Sequence, residues 1–316
     1  MSIRIALVGA GSMGANHVRL LSQMDGVRLV GVVDVDLPRA ERLAEGHGCL
    51  SASRLEELGE PLDAVVIATP PETHLEMGLA AIELGMHLLV EKPLAVTSSD
   101  AEELRSAAER AGRVLAVGHV ERFNPVCLDL PRFLSSPSFV QARRLSPYTE
   151  NVREGVVRDM MIHDLDLVLW IAGSLPTEVR AVSARTRSET EDLAVATLTF
   201  PSGVIAQLTA TRIGQDKVRR LDVLQDDCVL DLDLLRQDLT IRRQASVEYP
   251  EGGARRLRES SVIEIPYLEH RGEPLDLELR DFVRAVAEGR PPLVDGRAGV
   301  AAVRACEMVL SAAGER

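Results

Sequence analysis

Gly9-Ala10-Gly11-Ser12-Met13-Gly14 fits G-x-G-x-x-G, and it stands between a short apolar run and a helical pattern. In that context each glycine has a task. Gly9 permits the tight turn, Gly11 lets the backbone approach a pyrophosphate, and Gly14 lets the helix pack close to the strand. The amides that open the helix, at Ser12 and Met13, then face phosphate. Asp34 ends the next apolar run, about 20 residues on, where a carboxylate accepts hydrogen bonds from the adenosine ribose. A carboxylate there also repels a 2′-phosphate, which favours NAD over NADP. Arg39 nearby could serve a phosphate and keeps NADP open.

Two further clusters follow apolar runs, at the strand ends where open α/β sheets bind ligands. One is Ala68-Thr69-Pro70-Pro71 with His74, the other Glu91-Lys92-Pro93. Lys92 and Lys217 are the two lysines of a chain that otherwise uses arginine. That choice points to a need for a compact ammonium, although spacing alone also fits a solvated strand-end lysine. Farther on, Asp159 and His163 are spaced i, i+4, with Asp166 three residues beyond. A helix puts all three on one face. A carboxylate beside an imidazole fixes its tautomer and raises its basicity, as general acid/base chemistry requires. The same spacing describes a surface ion pair, by itself the commoner arrangement. No third ligand stands at metal-site spacing, so no metal is expected.

The elements that must position these residues follow from periodicity. Ile3 to Val8, Val27 to Val33, Ala64 to Ala68, His87 to Val90 and Val114 to Gly118 are apolar runs of strand length. Helical patterns separate them: one ends near Met24, one opens at Pro38, one covers about Glu72 to Leu84, and one covers Asp100 to Ala111 with Ser99 or Asp100 near its N-cap. Continuous apolar strands between helices predict a parallel sheet covered on both faces. After Gly118 the rhythm changes. Val157 to Ile171 is amphipathic and closes at Gly173. Six strand patterns then follow between Val179 and Arg243, with a hairpin signal at Pro201-Ser202-Gly203 and a weaker one at Asp226-Asp227. Glu251-Gly252-Gly253 reads as an exposed loop. Pro274 to Ala287 and Gly296 to Ala312 read as closing helices. The fold class is therefore α/β. A doubly wound, dinucleotide-binding domain over residues 1–120 precedes an α+β domain over 121–316 with an open, largely antiparallel sheet.

Composition bounds the function. A net charge of −12 argues against wrapping nucleic acid or lying on an anionic membrane. No apolar run reaches the length of a membrane span. Met1-Ser2-Ile3-Arg4 leads straight into a strand pattern, which reads as no signal peptide. Cys49, Cys127, Cys228 and Cys306 lie far apart and form neither a zinc nor a disulfide pattern. A cytoplasmic protein fits all of this.

The glycine motif, Glu91-Lys92-Pro93 and Asp159-x-x-x-His163, in this order and at these distances, resemble the Gfo/Idh/MocA oxidoreductase family across essentially the whole chain. The resemblance implies that Lys92, Asp159 and His163 form the catalytic group. It implies contacts on the nicotinamide side from Thr69, Pro70, His74 and Glu91. It also implies a second domain that binds substrate and forms homodimers or homotetramers through its sheet. Gly118-His119-Val120-Glu121-Arg122-Phe123-Asn124-Pro125, with Asp159 to Asp166, resembles the subgroup that oxidises UDP-N-acetylglucosamine at C3, which implies substrate contacts from Arg122 and Asn124. A path for a diphosphate calls for arginines, and Arg122, Arg143, Arg144 and Arg153 are candidates. An NAD-dependent dehydrogenase of a sugar or nucleotide sugar is thus expected. An inositol or polyol dehydrogenase with the same site, or a nicotinamide-binding sensor without turnover, stays open.

Overall fold

The computed structural model describes residues 2–150, 154–251 and 254–314, with side chains described outside 245–259. Arg153, Gly252 and Gly253 lie outside the described residues. The chain forms two compact units: Met1–Phe123 with Glu273–Glu307, and Asn124–Gly272 with Met308–Arg316.

The first unit alternates strand and helix. Its elements are β1 (Ile3–Val8), α1 (Ser12–Leu21), β2 (Val27–Val33), α2 (Leu37–Glu45), β3 (Leu50–Ala52), β4 (Ala64–Ile67), α3 (His74–Glu83), β5 (His87–Glu91), α4 (Ser98–Arg110) and β6 (Leu115–Gly118). The strands make one parallel sheet in the order β3-β2-β1-β4-β5-β6. Successive residues of one strand feed opposite cores. Ile5 and Leu7 pack with Val18, Ala40 and Val66 on one face, while Ala6 and Val8 pack with Val65, Ile67 and Leu104 on the other. Burial on both faces is why these strands read as unbroken apolar runs. Each fully buried Leu or Ile contributes about 1.5–3 kcal/mol. The strand order reverses between β1 and β4, which opens a crevice at their carboxyl ends.

Local signals placed most helix starts well. Asp36 caps α2 by accepting the Arg39 N–H, with Pro38 in the first turn. The cap of α4 is Thr97, just before the expected residues, and its hydroxyl accepts the Asp100 N–H at 3.1 Å. β3 escaped the sequence reading because it has three residues, one of them an exposed leucine.

The second unit holds α5 (Pro125–Asp129), β7 (Pro137–Leu145), a π-helical turn (Val157–Met161) that runs into α6 (Ile162–Ala172), β8 (Glu178–Ala184), β9 (Leu193–Thr199), β10 (Ile205–Thr211), β11 (Val218–Gln225), β12 (Val229–Asp233), β13 (Asp238–Glu251) and β14 (Ala254–Glu264). These strands form an eight-stranded sheet in the order β14-β13-β12-β11-β7-β10-β9-β8. Among the described residues of this sheet, only β7 and β10 pair in parallel. The six expected strands are present, and β7 and β14 are additional. β7 lacks a clean apolar alternation because one of its buried residues is Arg144. At the predicted hairpin, Phe200 N–H donates to the Val204 carbonyl, and Gly203 takes a positive φ of 86°.

The chain then returns to the first unit through α7 (Pro274–Glu288) and most of α8 (Gly296–Ala312). This corrects the boundary at residue 120, which left both helices with the second domain. Leu279 and Phe282 pack with Ile5 and Leu7, and Val294, Val300 and Val303 join the core of the opposite face. An amphipathic helix declares an apolar face, but not which sheet that face will cover. Among the described residues no helix is long and apolar enough to cross a membrane.

Candidate active site

The glycine motif closes the gap between β1 and α1 under tight steric limits. Gly9 takes a φ of 102°, and a Cβ there would crowd the Ala68 carbonyl. A Cβ on Gly14 would overlap the Gly9 carbonyl oxygen. Gly11 differs: nothing lies within 4 Å of where its Cβ would point. Gly11 is also the N-cap of α1 and offers no side-chain acceptor to the first-turn amides of Ser12, Met13 and Gly14. A helix start of that kind suits an anion, and a side chain at Gly11 would fill the cradle. Asp34 holds the turn from β2. Its Oδ2 accepts the Ala10 N–H at 2.7 Å, and its Oδ1 accepts the Asp36 N–H at 2.9 Å. A carboxylate offers about four acceptor positions, so positions remain for ribose hydroxyls. These residues fit a dinucleotide.

The ends of β4 and β5 lie on the same carboxyl edge of the sheet. His74 is buried and braces the two loops there. Its Nδ1 lies 2.9 Å from the Pro93 carbonyl oxygen, and its Nε2 lies 2.9 Å from that of Thr69. Burial pushes the imidazole below its usual range, against the pull of those carbonyls and of Glu91. His74, expected on the nicotinamide side, thus holds the Thr69 and Pro93 loops together through its ring. Thr69 accepts a hydrogen bond from the Thr73 hydroxyl, and Pro70 is exposed.

Glu91 also turns inward. It is 7% exposed, its Oε1 accepts from His17 Nε2 at 2.8 Å, and its Oε2 accepts the Lys92 N–H at 3.2 Å. Lys92 itself is half-buried at the end of β5. His17 and Glu278, both buried, were missed in the sequence. The signal for His17 was a polar residue on the Gly14, Val18 and Leu21 stripe that α1 buries.

In the second unit, Asp159 and His163 straddle a change of helix type. Asp159 is exposed within the π-helical turn, His163 is half-buried in the first turn of α6, and Asp166 is buried. The three therefore do not share one face in the even way that a regular α-helix gives. Wide turns of this sort recur at functional sites. Glu191 anchors the turn: its carbonyl accepts the Val156 N–H, and its Oε1 accepts the Val157 N–H at 3.2 Å. Gly155 leaves room for that carboxylate, since a Cβ there would overlap it. Beside His163, Asp164 forms a buried two-point ion pair with Arg144 of β7, at 2.7 and 3.0 Å.

The arginine candidates separate. Arg144 is buried and paired with Asp164, while exposed Arg143 lies 3.5 Å from Asp222. Arg122 is buried in the short turn after β6, in the first unit. Asn124 is 1% exposed and has structural tasks. Its oxygen caps α5 at Val126, and its amide donates to the Leu234 carbonyl at 2.9 Å. The structure thus brings the glycine motif, Asp34, Thr69, His74, Glu91 and Lys92 to one edge of one sheet. It sets Asp159 and His163 on adjoining turns of the other unit.

Known proteins resemble the chain in both units. Residues 3–119 match the Gfo/Idh/MocA oxidoreductase family with its NAD-binding Rossmann fold, and residues 135–227 match the Gfo/Idh/MocA C-terminal domain. A UDP-N-acetylglucosamine 3-dehydrogenase of Acidithiobacillus ferrooxidans is 32% identical over 299 residues, 94% of this chain and 93% of that protein. A crystal form of a dehydrogenase of that name and organism superimposes with a TM-score of 0.88 at 31% identity, covering 99% of this chain and 97% of the other. Inositol 2-dehydrogenase 1 of Saccharopolyspora erythraea is 30% identical over 325 residues, 97% of this chain and 93% of that protein. A levoglucosan dehydrogenase solved with NADH and levoglucosan shares the fold, with a TM-score of 0.84 at 19% identity over 99% and 98% of the two chains. The chain belongs to the Gfo/Idh/MocA family of NAD-binding Rossmann-fold oxidoreductases.

Proposed function

We propose that the protein oxidises the C3 hydroxyl of UDP-N-acetylglucosamine, or of a closely related nucleotide sugar, with NAD. The observation that carries this reading is the similarity to the Acidithiobacillus dehydrogenase, which runs through both units rather than through the dinucleotide-binding half alone. Gly9, Gly11, Ser12, Met13, Gly14 and Asp34 would hold the cofactor, with Thr69 and Pro70 beside the nicotinamide.

Bound NAD supplies the hydride acceptor. The chain supplies the rest. His163 takes the proton of the substrate hydroxyl, a role worth about 10²–10⁴-fold in rate. Asp159 orients the imidazole and favours its protonated form. The Lys92 ammonium donates to the alcohol oxygen and stabilises the negative charge that grows there as the proton leaves. In the reverse direction the same groups protonate a ketone oxygen. Arg122 contacts the substrate in this reading.

The second unit would bind the sugar and associate with copies of itself as a homodimer or homotetramer. Exposed Val182 on β8 and Ile263 on β14 support an interface on that sheet. Four free cysteines support a reducing, cytoplasmic setting.

The test is a panel of nucleotide sugars and polyols with NAD, read as absorbance of the reduced cofactor. UDP-N-acetylglucosamine should react faster than free N-acetylglucosamine or myo-inositol, because removing the nucleotide discards binding energy that orients the reacting carbon. A second reading, an inositol dehydrogenase, is favoured by the full-length similarity to inositol 2-dehydrogenase 1, and it wins if myo-inositol turns over best. If no sugar or polyol of the panel reduces NAD, the reading that remains is a nicotinamide-binding sensor without turnover.

A further inference from the structure

Three ionisable side chains come together inside the first unit, beneath the end of β5. His17 of α1 is 0% exposed, Glu91 of β5 7% and Glu278 of α7 2%. Glu91 divides its two oxygens. One accepts from His17 Nε2 at 2.8 Å and the other accepts the backbone N–H of Lys92 at 3.2 Å. A carboxylate accepts only, so the His17 ring proton on this side sits on Nε2. Gly118 of β6 makes room, since a Cβ there would lie 2.9 Å from Glu91 Oε2. Glu278 faces Glu91 from α7, and among the described residues neither of its oxygens has a hydrogen-bond partner. Burial, and then the charge of Glu91, hold the Glu278 carboxyl well above its usual range.

Burying a carboxylate is costly unless its partners compensate for lost water. Here the compensation runs from the helix that opens at the glycine motif to the backbone of Lys92. We infer that Glu91 is a positioning residue for Lys92, with His17 holding it in place. The inference rests on the reading of Lys92 as the group that meets the alcohol oxygen. It differs from the expectation of a cofactor contact from Glu91, because the carboxylate points into the core. The mechanism is geometric. Without the clamp the residue that carries the ammonium shifts, and a displacement of about 1 Å can cost about 10²-fold in rate.

A double-mutant cycle tests this with Glu91→Gln, Lys92→Ala and the double variant. Three quantities are read: kcat with the sugar that reduces NAD fastest, the Kd of NAD without sugar, and the melting temperature. Glu91→Gln should lower kcat by about 10- to 100-fold, with the Kd of NAD within about twofold of wild type. In the Lys92→Ala background the same change should cost no more than about twofold, since Glu91 then has nothing to position. His17→Leu should lose as much as Glu91→Gln. His17→Gln should recover most of that loss, because its amide can still donate to Glu91.

Losses that multiply in the double variant overturn the inference. So does a Kd of NAD that rises while kcat stands still, which marks a cofactor contact instead. If Glu91→Gln does not fold, the His17 pair decides: His17→Gln as slow as His17→Leu overturns it. Lys92→Ala at the wild-type rate overturns the underlying reading of Lys92, and the inference with it. A slow Lys92→Ala with independent losses overturns the inference alone.

Discussion

Asp34 and Ala10 join the ends of the first two strands: the Asp34 carboxylate accepts the Ala10 N–H at 2.7 Å. One side chain therefore holds the glycine turn, and on the proposed reading it also meets the adenosine ribose. A 2′-phosphate about 4 Å away would meet a repulsion of about 1 kcal/mol in water and about 4 kcal/mol at near-surface dielectric. Wild-type protein should bind NAD at least about fivefold more tightly than NADP, the lower end of that range. Asp34→Ser should narrow the gap and also weaken NAD, because the turn loses its charged acceptor. Titration of both cofactors by fluorescence checks this, and equal affinities in the wild type refute it.

The acid/base group makes a separate demand. His163→Ala should lose about 10²–10⁴-fold in kcat, with NAD binding little changed. Lys92→Ala should fall comparably, and Lys92→Arg should not restore it, because a planar fork cannot take the place of a compact ammonium. Lys217→Ala, the remaining lysine, serves as the control near wild type. Steady-state kinetics within about threefold of wild type for His163→Ala, far short of the general-base range, would reduce Asp159 and His163 to a surface pair.

Glu278 predicts a pH dependence of stability. Its folded-state pKa lies above the ordinary 4.5. As pH rises past about 4.5, the unfolded chain releases a proton that the folded chain retains, so stability falls until the folded value is passed. Glu278→Gln has nearly the same shape and does not titrate. Its urea midpoint should gain on that of the wild type steadily from pH 5 upward. Parallel midpoint curves across pH 5 to 9 would sink the prediction.

The Arg144–Asp164 pair is buried and two-pronged. Asp164→Ala should cost about 3–5 kcal/mol, because it removes the counter-charge of a buried guanidinium. Replacing both, Arg144→Met with Asp164→Leu, should recover most of that loss. Denaturant titration of the three proteins measures it. A double variant no more stable than Asp164→Ala would show that the charges themselves hold β7 and α6 together.

What could be read directly from the sequence was local. The periods of β1, α1 and β2 report burial on two faces, and burial of a short segment depends on residues a turn or a pleat away. The glycine motif is local too, since Gly9 and Gly14 meet each other across a single turn. Lys92, Asp159 and His163 were legible as residue types at a spacing. The tertiary structure decided who meets whom. Glu91 looked like a strand-end carboxylate open to a cofactor until its oxygen was found on His17, 74 residues earlier in the chain. The resemblance implied a substrate contact for Asn124, and the structure adds that its amide donates to the Leu234 carbonyl, 110 residues away. β7 hid because its inward Arg144 has its counter-charge on another element, and α7 carried an apolar face that either sheet could have taken. Periodicity records that a side chain is buried. The partner that makes a buried charge or amide tolerable is chosen by how distant segments pack, and no repeat along the chain encodes that choice.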